Sequence, residues 1–469
     1  MDIVEQIKLF LEPRSIALLG ISRQTDPNSY NIIAPLLKQG FQGKLYPVNP
    51  HTDEIMGVKT YPEVAQIEDE IDLALLFTSR KITPKILQEC ADKGIKAAII
   101  VGQGFNDATD DLGKKLQNDI TAIIKKTGIR VLGPNTLGTA NAFLNFSLSF
   151  AEQYGLEKIP VGLVSQSGIF FGIINELRML GKGIDLGNGC DVDVTDCLEY
   201  YEADPEVKVI ALHIEGINNG RKFFQVAKRV AQKKPVIVLK TGRSKQSAKA
   251  AQSHTGSIIG KDEIWDALFK QTGLIRAHTI DEMSDLIKLF SHAPPIKGRG
   301  VGIASYSGGM GIYTLDACNK YGLNIAEPHS ETMEKIVKAA PHWFNVGNPL
   351  DLWPIISTSE KSIEESLKDT ILAFMENPAI DSVILFLAAW MENENTPLLL
   401  TEIVSAIADA FPDKAVVLCP YGGWVHDVDI QIIENKLKKT GKVPIIPTPD
   451  RAAKALSTAA TYYEFLQNT

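Results

Sequence analysis

No stretch of this 469-residue chain is both apolar and as long as the roughly 20 residues a membrane-spanning helix needs. The longest apolar runs, such as Val209–Leu212 and Ser382–Trp390, have the size of single strands, so no membrane association is expected. A basic and then apolar leader is lacking too: Met1–Glu12 is acidic and amphipathic, which predicts a cytoplasmic protein. Positive charge is not in excess, with 48 Lys and Arg against 56 Asp and Glu, and a net charge of −8 gives no footprint for nucleic acid or anionic lipid. Cysteine is scarce. Cys90, Cys190, Cys197, Cys318 and Cys419 are odd in number and lack CxxC spacing, which argues against a zinc or disulfide framework and for buried structural thiols. No metal site is expected.

What the chain does have is repeated alternation. Apolar, β-rich runs alternate with amphipathic helical segments from Ser15 onward, the pattern of βα units around parallel sheets buried on both faces. A length of 469 residues exceeds one hydrophobic core. The reading is an α/β protein of three doubly wound domains, 1–150, 151–292 and 298–469, with a Pro- and Gly-containing linker at Ser291–Gly300. Strands are predicted at Ser15–Leu19, Leu45–Val48, Leu73–Phe77 and Ala97–Val101 in the first domain, and at Val161–Ser165, Val207–His213 and Val236–Leu239 in the second. The third is given Gly300–Ala304, Ser382–Leu387, Ala415–Cys419 and Val443–Ile446. Thr83 is read as a helix N-cap, with Pro84 at the first helical position and Gly94 past the end. The second and third blocks open alike, with GLVSQSGIF at Gly162 and GIASYSGGMGI at Gly302, as two copies of one flavodoxin-like plan would.

Doubly wound folds bind ligands beyond the carboxyl ends of their strands. The loop after the first strand, LLGISRQTDPNSY, carries one glycine, Gly20, where a dinucleotide fold shows GxGxxG. After the second strand comes Val48-Asn49-Pro50, without the acidic residue that would hold ribose hydroxyls. Both absences count against NAD. Ser22 and Arg23 suit another phosphate-bearing ligand, and an ordinary turn is the alternative. Ser165, Gln166, Ser167 and Gly168 lie between a buried strand and a helix start, where amides and helix dipole favour an anion. Ser307, Gly308 and Gly309 repeat this, so one phosphoryl group is expected to be held between the two helix starts.

The tract Val236–Gly260 runs from a buried strand into some twenty small, polar and basic residues, among them Lys240, Arg243, Lys245 and Lys249, and reaches His254 between Ser253 and Thr255. A loop this long is functional or mobile. His51, His278, His292, His329, His342 and His426 read as structural or surface residues, whereas the setting of His254 suits an imidazole that reaches out and carries a group. Glu215, in HIEG at the end of a buried strand, is the candidate carboxylate to orient it, a helix cap or surface carboxylate being the alternative.

In order, SIALLGIS, YPVNP, GPNTLGTAN, SQSG, GNGCDVD, IEGI, SHTGS, SGGMG and NPLDL make the chain resemble the NDP-forming acyl-CoA synthetases, the succinyl-CoA synthetase-like superfamily, across nearly its whole length. The likeness is strongest to the α subunit type of the ADP-forming acetyl-CoA branch. It implies a Rossmann-like N-terminal domain that binds CoA through Gly20, Ser22, Arg23, Val48, Asn49, Pro50, Thr78, Ser79, Gly102 and Gln103. It implies a second domain in which His254 carries the phosphoryl group with Glu215 in support, phosphate sites at Ser165–Gly168 and Ser307–Gly309, and an acyl site near Asn135 and Thr136. Thr136 stands where relatives often have cysteine, and Gly189 and Cys190 depart from the usual GNKADVD. No ATP-grasp domain is recognised after the third block. ADP or ATP with Mg²⁺ is therefore assigned to a partner β subunit, expected as α2β2, with a small carboxylic acid or its acyl-CoA as substrate. A CoA-binding regulatory protein without turnover and a nicotinamide-dependent oxidoreductase are the rival readings.

Overall fold

A computed structural model describes residues 1–22, 31–149, 157–244, 246–247, 261–387, 396–420 and 427–468. The chain forms two compact units, Met1–His278 and Thr279–Thr469. No helix among the described residues is long and apolar enough to cross a membrane.

The first unit holds two large sheets. In the first, β1 (Ser15–Leu19), β2 (Lys44–Val48), β5 (Leu73–Leu76), β6 (Ala97–Ile100) and β7 (Arg130–Leu132) run parallel in the order β2-β1-β5-β6-β7, while β3 (Glu54–Ile55) and β4 (Val58–Lys59) form a small separate hairpin. All residues of β1, β5 and β6 are buried, which is why they read as unbroken apolar runs. By position in the chain the order is second, first, third, fourth, fifth. This is the flavodoxin-like version of the doubly wound scheme; the six-stranded dinucleotide order differs.

The second sheet joins β8 (Gly138–Asn141), β9 (Phe146–Ser149), β10 (Val161–Ser165), β11 (Lys182–Asp185), β12 (Val209–Ile214), β13 (Val236–Lys240) and β14 (Ile275–Ala277) in the order β14-β13-β12-β10-β11-β8-β9. Its parallel strands repeat the same order, and β8 pairs antiparallel with β11 at the edge. The hairpin β8–β9 thus precedes residue 150 in sequence yet completes the second sheet. Thr139 Oγ1 and Asn141 Nδ2 donate to Phe10 O and Leu11 O, tying the N-terminal helix Ile3–Leu11 to that hairpin. One buried cluster runs from Ile7 and Ile16 through Phe146 to Val164 and Tyr201, so both sheets share a core.

In the second unit, β15 (Gly300–Ser305) lies between β16 (Asn324–Ile325) and β18 (Ser382–Leu387), followed by β19 (Ala415–Pro420), and β17 (Leu350–Asp351) pairs with the carboxyl end of β15. The expected strand Val443–Ile446 contributes one bridge, Leu418 to Ile445. The helix Ile280–His292 belongs to this unit: Arg451 makes a bidentate pair with Asp285, at 2.7 and 2.8 Å, and Phe290 packs edge-on against Tyr462. Thr83 is the first residue of the helix Thr83–Asp92, not its cap, because its hydroxyl is spent on Ser79 O at 3.0 Å.

Candidate functional site

A strand order that reverses direction at its first strand opens a crevice between the first and third strands at their carboxyl ends. In the first sheet that crevice lies between β1 and β5. Gly20 follows β1 at φ +79°, and a Cβ there would come within 2.4 Å of Phe77 O, so only glycine lets the two strand ends stay together. Ser22 follows, while Arg23 lies outside the described residues. Thr78 and Ser79 follow β5, with Thr78 Oγ1 2.8 Å from Thr83 Oγ1. Val48 ends β2, Asn49 N donates to Tyr61 O, and Gly102 and Gln103 follow β6. The described residues expected to contact CoA therefore all sit on one sheet edge.

In the second sheet the crevice lies between β10 and β12, so Ser165 and Glu215 meet there although 50 residues apart. Ser165 Oγ donates to Ser167 O (2.7 Å) and accepts from Ser167 N (3.1 Å), and Gln166 N donates to His213 O. The amides of Gln166 and Ser167 are thus used within the fold. The amides of Gly168 and Ile169, first in the helix Gly168–Glu176, are the ones a helix start leaves for an anion. The Gln166 side chain brackets the crevice, accepting from Glu215 N and Gly216 N and donating to Gly216 O. Glu215 is 8% exposed, which removes the surface reading, and the cap of the next helix is Asn219, whose Oδ1 accepts from Lys222 N.

His213 was not singled out from sequence, yet it joins three strand ends. Its Nδ1 lies 3.4 Å from Ser165 Oγ, its Nε2 3.0 Å from Thr241 Oγ1, and its ring stacks on Phe170 at 3.8 Å. With the Ser165 proton given to Ser167 O, Nδ1 is the donor and Nε2 accepts the Thr241 proton. Burial, then the Lys240 charge, pushes the imidazole down to about 3, so this link is neutral at working pH. It fixes Thr241, where the long polar tract begins. Lys240, expected in the basic approach, is instead 3% exposed, with Nζ donating to Glu215 O (2.9 Å) and 5.2 Å from the Trp265 ring centre; burial lowers it to about 8. Arg243 is paired with Asp262 at 3.1 Å. Lys245, Lys249 and His254 lie outside the described residues.

A pocket of about 600 Å³ is lined by some of the expected residues of the first unit: Gly102 and Gln103 after the first sheet's fourth strand, Asn135 and Thr136 from the connection, and Gln166, Ser167 and Gly168 from the second sheet. Gly20, Ser22, Val48, Asn49, Pro50, Thr78, Ser79 and Ser165 are not part of its lining. Gly187 holds the connection in place at φ +55°, because a Cβ there would meet Pro134 O and Asn135 O at 2.4 Å. Asp185 also lines the pocket and had not been anticipated. Its Oδ2 accepts from Leu137 N (2.6 Å) and Thr136 Oγ1 (3.2 Å). Burial pushes this carboxyl up to about 6 against those hydrogen bonds and one from the Gly187 backbone, and the charge of Glu215 adds to the rise. A carboxyl raised in the fold burdens the native state only when ionised: the cost is absent below about pH 4 and complete above about pH 6, on the order of a few kcal/mol. Asp185→Asn should therefore gain stability relative to the parent between pH 4 and pH 7.5 in thermal melts. A difference independent of pH across that range would contradict the raised value.

The second unit repeats the geometry. Ser305 Oγ donates to Ser307 O (2.9 Å) and accepts from Ser307 N (3.1 Å), and Tyr306 N is taken by Phe386 O, leaving the start of the helix Gly308–Lys320 as the donor end. Register matches as well, since Ser305 pairs with Asp351 as Ser165 pairs with Asp185. Asn348 of NPLDL clamps the strand by accepting from Ile303 N and donating to Val301 O and Ala326 O. Among the described residues, one trio of carboxylates is close enough to share a cation, Glu12, Asp204 and Glu206. The buried Lys182 ammonium already sits among them at 3.1, 2.7 and 2.6 Å.

Residues 14–142 match the model of a CoA binding domain, and residues 158–290 that of a succinyl-CoA ligase like flavodoxin domain. The chain is 35% identical over 452 residues to the acetate–CoA ligase (ADP-forming) II subunit alpha of Pyrococcus furiosus, covering 95% of each. It is 39% identical over 379 residues to the acetate–CoA ligase (ADP-forming) II of Archaeoglobus fulgidus, covering 79% of this chain and 56% of that one. A similar enzyme of Methanocaldococcus jannaschii is matched over 49% of its length, so the chain spans about half of these two longer relatives. Among solved structures, the dinucleotide forming acetyl-coenzyme A synthetase 1 of Ca. Korarchaeum cryptofilum, in complex with phosphate and ADP, superposes with a TM-score of 0.86 at 28% identity, covering 99% of this chain and 98% of that one.

Proposed function

This chain belongs to the family of ADP-forming acetate–CoA ligases, and on that premise we propose that it is the α subunit of an ADP-forming acyl-CoA synthetase. The reaction is acyl-CoA + ADP + phosphate ⇌ carboxylate + CoA + ATP. Phosphate attacks the thioester carbonyl, the C–S bond breaks and CoA leaves as its thiol. The P–O bond of the acyl phosphate then breaks, releasing carboxylate as a P–N bond forms on His254, with Glu215 holding the imidazole. A β subunit takes the phosphoryl group to ADP with Mg²⁺, as an ATP-grasp partner in an α2β2 assembly of the cytoplasm. The greater length of the single-chain relatives supports a second component of this kind.

One observation carries this reading: one pocket is lined by Gly102 and Gln103 of the residues assigned to CoA, by Asn135 and Thr136 assigned to the acyl group, and by Gln166, Ser167 and Gly168 assigned to phosphate. The first-sheet edge fits CoA by its close strand ends, its open crevice and its lack of a ribose-binding acid. Phosphoryl transfer needs positioning and charge neutralisation more than covalent chemistry, and two helix starts of one design suit that need.

Calorimetry on the full chain tests the first half of the proposal. CoA should bind and NAD should not. Because β8–β9 complete the second sheet, a fragment cut at residue 150 would be a poorer test. Binding of NAD without CoA would sink the assignment.

A further inference from the structure

The turn after β10 holds two things at once. Its helix start leaves the amides of Gly168 and Ile169 to an anion, and its Gln166 side chain grips the backbone that carries Glu215. β10 and β12 pair as far as Ser165 and His213, where the chain of β10 turns away into the helix. The Gln166 carboxamide offers the acceptor and donor of a peptide group, and it carries the pairing past that point. Its Oε1 accepts from Glu215 N and from Gly216 N at 3.0 Å, and its Nε2 donates to Gly216 O at 2.9 Å. Glu215 and Gly216 are buried, so these backbone groups depend on partners within the protein.

The second unit supplies an internal comparison. There Tyr306 stands in the Gln166 place, and its amide donates to Phe386 O as the Gln166 amide donates to His213 O. The serine contacts of the turn are the same, Ser305 Oγ donating to Ser307 O and accepting from Ser307 N. The turn therefore closes without a carboxamide. What differs is the neighbouring strand end: β12 ends at Ile214 and is followed by Glu215, whereas β18 ends at Leu387 and is followed in the sequence by Ala388. Gln166 accompanies the carboxylate, not the turn.

We infer that Gln166 is a positioning residue, whose side chain sets Glu215 at a fixed distance from the anion-binding helix start. This moves the side chain from the phosphate to the carboxylate. A displacement of about 1 Å at a reacting centre can cost on the order of 10²-fold in rate, and three hydrogen bonds from one side chain remove that freedom from the backbone of Glu215. One turn then governs both the phosphate and the group that orients the imidazole. The inference rests on the phosphohistidine reading given above.

The test uses the full chain in a single turnover with acetyl-CoA and labelled phosphate, the label on His254 giving a maximal rate and a half-saturating phosphate concentration. Gln166→Ala should lower the maximal rate by on the order of 10-fold to 100-fold and leave half-saturating phosphate within about 2-fold. In a Glu215→Gln background the same substitution should cost no more than about 2-fold, because the charge it positions is already gone. Calorimetric binding of CoA reports that each variant is folded. Should Gln166→Ala fail that check, Gln166→Tyr replaces it, with the side chain that the second unit's turn already accommodates. A rise in half-saturating phosphate at an unchanged maximal rate would make Gln166 a phosphate ligand and overturn the inference. So would no change in either quantity, or a loss in the Glu215→Gln background as large as in the parent. Absence of label on the parent chain with both acetyl-CoA and butanoyl-CoA overturns the phosphohistidine reading itself, and the inference with it.

Discussion

His254→Ala should lose turnover by at least about 10³-fold and should take up no phosphoryl label, because nothing else in SHTGS can replace an imidazole as nucleophile and leaving group. The expectation rests on composition and on what surrounds the root of the tract. No apolar residue from Thr241 to Thr255 is larger than alanine, so the tract has little to bury. Its first residue is held by the neutral His213, which ties it to the turn at Ser165. Glu215 lies buried just past the end of the strand that carries His213. Glu215→Gln keeps an acceptor and loses the charge that favours imidazolium character, so it should slow phosphoryl transfer by roughly 10²-fold while the protein stays folded. The measurement incubates the complex with acyl-CoA and labelled phosphate, then looks for an acid-labile, base-stable label on the peptide holding Ser253-His254-Thr255. Full ATP synthesis by His254→Ala would end the mechanism. An unaffected Glu215→Gln would remove only the carboxylate from it.

The second large effect concerns the partner. Supplied with acyl-CoA, ADP and phosphate, the 469-residue chain alone should release no ATP, and a nucleotide-binding β subunit should restore synthesis. Among the described residues the parallel strands of the first two sheets share one order, and the proposed reading gives their crevices to CoA and to acyl group and phosphate, and the turn after β15 to phosphate again. On that reading the nucleotide belongs to the β subunit. The chain should still consume acyl-CoA and phosphate once per His254 and then stop, so a labelled protein without ATP is the expected end state. Sustained ATP formation by rigorously purified chain would refute the division of labour.

Much of the architecture was readable because its signals are short-range. Strands such as β1, β10 and β18 are buried on both faces, and a doubly buried strand is an apolar run in any neighbourhood. β11 escaped notice. Its sequence KGID opens with a lysine that is buried only because Glu12, Asp204 and Glu206 converge on it, and ends with an aspartate held by Leu137 and Thr136. No local pattern announces a charged strand whose partners are up to 170 residues away. The hairpin β8–β9 was assigned to the first domain for a related reason, since its place in the chain precedes the sheet that it completes.

The sequence by itself determined three α/β sheets, two copies of a strand–SxSG–helix turn, the loops at the carboxyl ends of the first sheet's strands, and the tract bearing His254. Each follows from periodicity or from side chains within a few residues of one another. Tertiary structure alone decided which donors and acceptors remain. It spent the Gln166 and Ser167 amides inside the turn, buried Lys240 at the root of the tract, set the tautomer of His213, and brought Asp185 beside Thr136. Hydrogen-bond satisfaction and desolvation depend on which strand lies next to which, and that is a property of the folded sheet, not of any segment of the chain.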